Sequence, residues 1–342
     1  MANGLPSTPA GIQNQITAAF KQQFHDSFEI ALQQTESALS GLVTSRGQIQ
    51  GASFTINDLG SVEMEQRKFA DRFSTTQFKL PEAGTRLAIM EDYDLFIPIE
   101  PFDLPKLSAA PDSPYMRLMV AAANRAKDRL IYRQLFAEIQ RRKETEIQPT
   151  GAGAAVAAST GAYTATPFAT GQVINAVGKG YAEDSTTHKM TSIGTVDKAS
   201  LIKLRALFMK NFADNEEIYV TYNDAMLQQI LSDTELTNAD YMAIQMLQSG
   251  EVGGKWLGMN FVKYQELGHV DALGADTTAA AGKGFKAAAF TKSALHFGTG
   301  INYSTDVQTR ADLRNIKQLS AQMSFGAGRA NELKVAQLNF LA

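Results

Sequence analysis

The chain has 342 residues, 44% of them hydrophobic and 20% charged, a balance typical of a soluble protein with a substantial core. Its formal net charge of −3 argues against a dedicated nucleic-acid-binding domain, because such domains present a basic surface. Cysteine is absent, which excludes disulfide bonds and thiol chemistry. Residues 1–11 lack the basic start and apolar run of a secretory signal, and no stretch approaches the ~20 apolar residues that span a bilayer. We therefore expect a soluble, unprocessed protein.

The first predicted element is a helix over residues 12–39. An apolar side chain recurs at every fourth position, and the resulting stripe includes Phe20, Phe24 and Phe28. Gly41 supplies a stop signal. The three phenylalanines need a covering surface, which is either the rest of the same domain or a neighbouring subunit.

Residues 47–104 predict a long two-stranded arm. Strands are predicted toward both ends of this segment, over Gln48–Ile56, Arg86–Met90 and Tyr93–Ile97, and Asn57-Asp58 is typical of a turn. The middle of the segment is charged and has too few apolar residues for a core of its own. Because an isolated hairpin is marginally stable in water, such an arm needs a partner surface.

The charged residues of this arm are candidates for contacts with a neighbouring subunit, and the alternative is a solvated face. The candidate residues are Glu63, Arg67, Lys68 and Arg72.

A long helix is predicted from Ser113 to Lys143. Ser113 is a favourable N-cap, and residues of high helix propensity dominate the segment that follows. At 1.5 Å per residue, this helix would be a rod of roughly 45 Å. Its apolar stripe includes Met116 and Val120 and drifts to Ile139, which favours different neighbours at the two ends.

The second half of the chain mixes short helices and strands. A small-residue stretch follows at 150–161, and a short helix is predicted near Gln172–Val177. Further helices are predicted at Ala199–Lys210, capped by Asp197, and at Asp224–Leu231. Strands are predicted at Ile218–Tyr222, Phe285–Phe290, Asn302–Gln308, Lys317–Gly326 and Lys334–Phe340, with a helix or turn at Thr291–Phe297. This order favours the α+β class over a βαβ repeat.

The sequence contains no recognisable catalytic or cofactor motif. The four histidines have no metal-ligand spacing, and Gly178-Lys179-Gly180 lacks the rest of a phosphate-binding loop. Acidic pairs such as Glu216/Glu217 are adjacent in sequence and are read as solvated charge. We predict no catalytic, cofactor-binding or metal-binding residues. A hydrolase that assembles its site from scattered carboxylates remains an alternative.

Two blocks of sequence resemble the major capsid protein of tailed DNA bacteriophages, which has the Hong Kong-type capsid fold. The first block consists of Gly47–Gly51, Ile56–Gly60, Arg86–Asp94, Ile99–Asp103 and Ala122–Asp128. The second consists of Gly250–Tyr264 and Ala287–Phe290, and the closing strands with Gly326–Arg329 complete the match. The order of these segments carries most of the resemblance.

The resemblance implies an α+β fold with a long spine helix, an axial domain, a peripheral domain, an extended β-hairpin loop and an N-terminal arm. The implied boundaries are 1–45 for the N-terminal arm with its helix, 46–104 for the extended loop, 105–195 for the peripheral domain with the spine helix, 196–300 for the axial domain and 301–342 for the peripheral return strands.

The resemblance also implies a mechanical function. Copies would form hexamers and pentamers of an icosahedral head around double-stranded DNA, assembled in the bacterial cytoplasm. Portal and scaffolding or cement proteins are the expected partners besides the chain itself, with non-specific contact to packaged DNA, no membrane and no cofactor. The alternatives are a nanocompartment shell and a tail or baseplate protein.

Overall fold

The computed structural model describes residues 34, 36–64, 66, 81–99, 112–143, 162–183, 186, 190–232, 255–271, 276–277 and 284–342. The helices in this part of the chain are α1 (Asp112–Phe136), α2 (Lys198–Lys210) and α3 (Asp224–Ser232). The strands are β1 (Thr44–Gln48), β2 (Ser53–Leu59), β3 (Ala83–Ile99), β4 (Ile139–Lys143), β5 (Thr164–Thr166), β6 (Val173–Asn175), β7 (Ala182–Glu183), β8 (Met190–Ser192), β9 (Ile218–Tyr222), β10 (Lys255–Trp256), β11 (Met259–Lys263), β12 (Gly268–Val270), β13 (Asp276–Thr277), β14 (Gly284–Thr291), β15 (Leu295–Thr299), β16 (Ser304–Arg310), β17 (Ile316–Arg329) and β18 (Val335–Phe340).

These strands form two large sheets and one small one. The first sheet has the order β1-β15-β17-β3-β4-β5, with β16 beside β17 and β2 beside β3. The second sheet has the strand order β10-β11-β9-β14. Strand β14 also pairs with β12, which pairs with β13, and with β18, which pairs with β6. Strands β7 and β8 pair only with each other among the described strands. Helices and mixed sheets together make this an α+β protein, as the sequence predicts.

The chain divides into two compact units. The described part of the first unit contains residues 34, 36–37, 92–99, 112–126 and 301–324. Its core joins Ile99, Met119, Leu319 and Ala321, with Tyr115 among the partly buried residues packed against them. The hairpin of β16 and β17 in this unit has a mostly exposed first strand.

The second unit contains the described residues of 38–91, 127–300 and 325–342, and the larger part of the core. Strand β18 is buried along its whole length, and β14 is buried from Ala287 onward. Such continuously buried strands are typical of the centre of a sheet that is covered on both faces.

Local sequence signals correctly predict α2. The Asp197 carboxylate accepts a hydrogen bond from the Ser200 backbone N–H at 2.9 Å, which satisfies one of the free donors of the first turn. Leu201, Leu204 and Phe208 form its buried face. The predictions of β9, α3, β14 and the three closing strands are likewise confirmed within a few residues.

The predicted spine helix is too long at its C-terminal end. Helix α1 ends at Phe136, and residues 139–143 form β4, which pairs with β3 from Leu87↔Gln140 to Gly84↔Lys143. Backbone pairing with a distant strand outweighs the helix propensity of this short segment. Val120, predicted to lie in the apolar stripe, is 41% exposed.

The predicted strands of the arm also need correction. Residues 49–52 interrupt the predicted strand, and Asn57-Asp58 continues β2 instead of turning, since the two residues pair with Thr85 and Gly84. The two strands predicted between residues 86 and 97 are one continuous strand, β3.

Three smaller predictions are wrong in part, and the helix or turn predicted over Thr291–Phe297 is present only as a 3-10 helix at Lys292–Ala294. The described residues between Glu36 and Leu39 are not helical, and the rest of the predicted N-terminal helix lies outside the described residues. Residues 173–175 form β6 rather than helix, and residues 295–299 form a strand after one short 3-10 turn. The predicted domain boundaries stay a prediction.

Candidate assembly surfaces

Of the seven residues predicted to lie at a subunit interface, the structure describes one. Glu63 is exposed, and its neighbours Val62 and Met64 are exposed as well. Phe20, Phe24 and Phe28, like Arg67, Lys68 and Arg72, lie outside the described residues.

The described part of the arm is a ladder of two strands. Strands β2 and β3 pair from Ser53↔Ile89 to Leu59↔Ala83, and the Gly60 N–H donates to the Glu82 carbonyl at 2.7 Å. Leu59 at the far end is 75% exposed. The far end of the ladder therefore presents an exposed apolar side chain.

The near end of the ladder is packed. Phe54, Ile56 and Ala88 form a buried cluster, and Met90 and Ala330 lie against it. Gly328 of β17 faces this cluster closely enough that a Cβ there would press on Ala88. The near end of the ladder is therefore fixed to β17 by a close apolar contact.

Beside this apolar contact lies a cluster of ion pairs that we call the arm-root network: Asp58, Glu82, Arg86, Arg141, Arg329 and Glu332. Arg86 Nε is 3.0 Å from Asp58 Oδ2, and Arg86 Nη1 donates to Glu332 Oε1 at 2.9 Å. Arg141 Nε is also 3.0 Å from Asp58 Oδ2, so two cations share one carboxylate. The network connects β2, β3 and β4 to the turn before β18.

Arg329 ties the network to α1. Its side chain is fully buried, its Nε is 2.8 Å from Glu332 Oε2, and its Nη1 donates to the Leu135 carbonyl at 2.6 Å. The guanidinium carbon also lies 5.0 Å from the centre of the Phe168 ring. Burial lowers the pKa of Arg329, although the Glu332 carboxylate opposes this effect. An arginine remains charged at neutral pH, so this buried cation depends on its partners.

The point where the N-terminal segment joins the body is fixed by a buried carboxylate. Asp128 of α1 is completely buried and accepts the backbone N–H groups of Ala38 at 2.8 Å and of Leu39 at 3.1 Å. Leu39 itself is fully buried. The chain then enters β1, which pairs in parallel with β15.

A second polar cluster joins Glu216, Ser293 and Lys334. Ser293 Oγ donates to Glu216 at 2.6 Å, and Lys334 Nζ lies 2.6 Å from Ser293 Oγ and forms an ion pair with Glu216. Burial alone would raise the pKa of Glu216, but hydrogen bonds from Lys334 and Ser293 lower it to about 2.

This Ser–Lys contact resembles a nucleophile beside a base, the arrangement that a hydrolase would need. A lysine can remove the serine proton only when it is neutral, whereas Lys334 is held next to an ionised carboxylate that favours its charged form. The cluster has the chemistry of a structural salt bridge. Among the described residues, no group of three or more His, Cys, Asp or Glu side chains is placed to hold a metal ion.

The residues of the arm-root network were not predicted from the sequence. Arg86 and Glu332 are separated by 246 residues, and no motif or periodicity connects them. The one available signal was Arg329, a charged residue directly after the apolar Gly326–Gly328 run.

No helix in the described part of the chain combines the length and apolar character needed to cross a membrane.

Comparisons with known proteins agree with this architecture. The sequence matches the model of a family described as phage capsid protein over residues 16–342. No protein of curated function matches it. A structure from Mycobacterium phage Che8 superposes with a TM-score of 0.61 at 14% identity, covering 93% of this chain and 96% of that one. The capsid structure of Cyanophage P-SCSP1u gives 0.62 at 15% identity, covering 99% of both chains. The capsid of Ralstonia phage GP4 gives 0.61 at 11% identity, with coverages of 94% and 95%.

Proposed function

Since the chain belongs to the phage capsid protein family, we propose that it is the major capsid protein, which assembles into the hexamers and pentamers of an icosahedral head around double-stranded DNA. The α+β Hong Kong-type capsid fold predicted from the sequence is confirmed by the structural matches. The protein is thus a structural component of the virion. The observation that carries the proposal is the family match over nearly the whole chain.

The arm supports this proposal physically. Its root is held by an apolar cluster and the arm-root network, whereas Leu59, Val62 and Met64 at its outer end are at least half exposed. Because the root is fixed and the outer end is apolar, burial of that outer end against a second copy is favourable and stabilises the contact between copies. Repeated contacts of this kind become collectively strong in a closed lattice even when each one is weak.

We assign the contacts between subunits to the predicted interface residues. Glu63, Arg67, Lys68 and Arg72 would pair with charges on a neighbouring copy, and Phe20, Phe24 and Phe28 would be covered by it. Assembly would take place in the bacterial cytoplasm, with a portal protein and, where needed, scaffolding or cement proteins as partners. Contact with packaged DNA would be non-specific, in keeping with the mildly negative net charge.

The primary test is expression of the full chain followed by sedimentation and electron microscopy. We expect closed particles of megadalton mass. A stable monomer, or tubes and rings instead of shells, would contradict the proposal. Nucleic acid inside particles from infected cells supports the phage head, whereas particles filled with a cargo enzyme would indicate a nanocompartment shell.

A second test concerns the arm alone. Deletion of residues 61–72 should leave a folded subunit, judged by circular dichroism, that forms no closed particles. The quadruple variant E63Q/R67Q/K68Q/R72Q keeps the length of the arm and removes only the charges of these four residues. The two variants together therefore distinguish the effect of arm length on assembly from the effect of these charges. Normal shells from the deletion variant would refute the assignment of the arm.

A further inference from the structure

The surface around α2 is more apolar than a solvent-facing surface requires. The helix buries Leu201, Leu204 and Phe208, yet Ile202 and Met209 stand half exposed. These two residues are seven positions apart and so lie on the same side of the helix. Singly exposed apolar residues are common, but a row of them marks an interaction surface.

Phe212, just beyond the end of α2, extends this row. It is 86% exposed and has φ +54°, in the left-handed region. The helix ends there with the Ala213 N–H donating to the Phe208 carbonyl at 2.9 Å, a geometry that usually places glycine at the position of Phe212. A phenylalanine here is unfavourable both for the backbone and for its solvated ring, so the free subunit gains nothing from it.

Next to this row lies a groove of about 470 Å³ between α2 and β6. Its walls include Ile174, Val177, Ala206 and Leu207, and Lys203 and Lys210 stand exposed along it. Among the described residues, no carboxylate lies within ion-pairing distance of either ammonium group. Strand β6 is an edge strand, since β18 is its one partner in the described sheet. The surface therefore suits an occupant that is apolar and negatively charged.

The segment that follows α3 has this chemistry. Residues 233–251 contain four carboxylates and neither lysine nor arginine, and residues 241–247 are mostly apolar. Three residues connect the segment to β10, which lies at the opposite edge of the second sheet from β6. Five strand spacings of ~4.8 Å separate those edges by about 24 Å.

We propose that the α2–β6 groove and the adjoining Ile202, Met209 and Phe212 receive residues 233–251 of a neighbouring copy. In a ring of identical subunits, one edge of each copy meets the opposite edge of the next, and this arrangement closes without a second kind of interface. Lys203 and Lys210 pair with carboxylates of the incoming segment, and its apolar side chains cover the groove. The inference rests on the proposed shell function, because it needs neighbouring copies.

Because the chain has no cysteine, the contact can be tested by disulfide trapping. Full-length A206C and I244C variants are expressed separately, mixed as subunits, assembled and oxidised. We expect a covalent dimer on non-reducing gels from the mixture and none from either variant alone. The double variant A206C/I244C distinguishes the remaining arrangements. A disulfide within one monomer would show that residues 233–251 cover the groove of their own subunit. No disulfide at all would show that a different segment covers the groove. Either result overturns the proposal.

Charge reversal gives an independent readout. K203E/K210E should raise the subunit concentration needed for assembly by about tenfold, and adding D240K/E251K should restore it. K198E, a matched change on the same helix outside the groove, should have no effect. F212G should raise the melting temperature of the free subunit by relieving the left-handed strain, yet weaken assembly. Unaltered assembly of both K203E/K210E and F212G would overturn the inference while leaving the shell function intact. If the unmodified chain forms no particles, the shell function and the inference drawn from the groove are both wrong.

Discussion

The arm root and the turn of the β16–β17 hairpin use the same chemical pair in opposite surroundings. At the arm root, Arg86 lies 3.0 Å from Asp58, and the side chain of Arg86 is 9% exposed. At the hairpin turn, Arg310 lies 2.6 Å from Asp312, and these side chains are 41% and 59% exposed. The shorter pair is the weaker one, because water already satisfies both of its charges. Separation between charged atoms therefore says little about stability until burial is known.

The two sites also differ in what they connect. Arg310 and Asp312 are two residues apart, so their contact constrains only the turn. Arg86 joins residues 28 and 246 positions away along the chain. When the hairpin pair is lost, both charges remain in contact with solvent. When the Arg86 side chain is lost, carboxylates inside the protein lose a cationic partner.

The largest expected effect is that of Arg86→Met. Removal of one member of a buried ion pair typically lowers the free energy of unfolding by 3–5 kcal/mol, and we expect about 3 kcal/mol because Arg141 and Arg329 still face the two carboxylates. Urea denaturation of the free subunit measures the change. Arg310→Met is the matched control and should leave the unfolding curve unchanged. Equal effects of the two substitutions would refute the distinction drawn from burial.

A somewhat smaller effect is expected for Asp128→Asn. The carboxylate accepts two backbone N–H groups, and an amide replaces one acceptor oxygen by a donor that faces an N–H. We expect a loss of about 2 kcal/mol, typical of hydrogen bonds to a buried charge.

Hydrogen exchange provides the specific readout for Asp128→Asn. The amides of Ala38 and Leu39 should lose protection more than those of α1 itself. Asp306→Asn, on the exposed β16, is the control and should leave exchange in both places unchanged. Uniform loss of protection throughout the subunit would show that Asp128 stabilises the core rather than the attachment of the N-terminal segment.

The sequence predicts elements whose determinants are local. The N-cap of α2 and its buried face lie within one continuous stretch of chain, so Asp197 and the spacing of Leu201, Leu204 and Phe208 suffice. The end of α1 was mispredicted because its determinant is remote. Residues 139–143 have helix-compatible composition, but they pair with β3 more than 50 residues upstream.

The interface predicted for the charged middle of the arm stays a prediction, since the exposure of Glu63 fits a subunit contact and a solvated face equally well. The arm-root network could not be predicted, because Asp58 had the local signature of a turn and Arg141 that of a helix end. Only the register Asp58↔Gly84, beside Thr85↔Arg142, brings these charges together, and Gly84 provides the space for them.

The Glu216–Lys334 pair lies between the two extremes of burial and should respond to acid. Because the pKa of Glu216 falls from an ordinary 4.5 to about 2 in the folded chain, its contribution is complete above about pH 4.5 and declines as the pH falls toward 2. The Glu216 side chain is 35% exposed, so solvent screening limits this contribution to about 1 kcal/mol.

The measurement is the difference in unfolding free energy between the unmodified chain and Glu216→Gln at a series of pH values. The difference should be constant near neutrality and shrink below pH 4.5. Lys334→Met should weaken this dependence on pH, since the ammonium group donates one of the hydrogen bonds that lower the pKa. A difference that grows on acidification would contradict the assignment.

The smallest expected effect on the subunit is that of Asp312→Asn. Hydrogen bonds from Arg310 lower the pKa of Asp312, but the two side chains are 41% and 59% exposed, so solvent screens the pair. We therefore expect no measurable change in the unfolding curve at low or high salt. Because no change in subunit stability is expected, the yield of particles can be measured as an independent readout. A fall in particle yield without a change in subunit stability would identify the hairpin turn as a contact between copies. A clear loss of subunit stability would instead show that an exposed pair can act like the buried one, and the comparison with the arm root would fail.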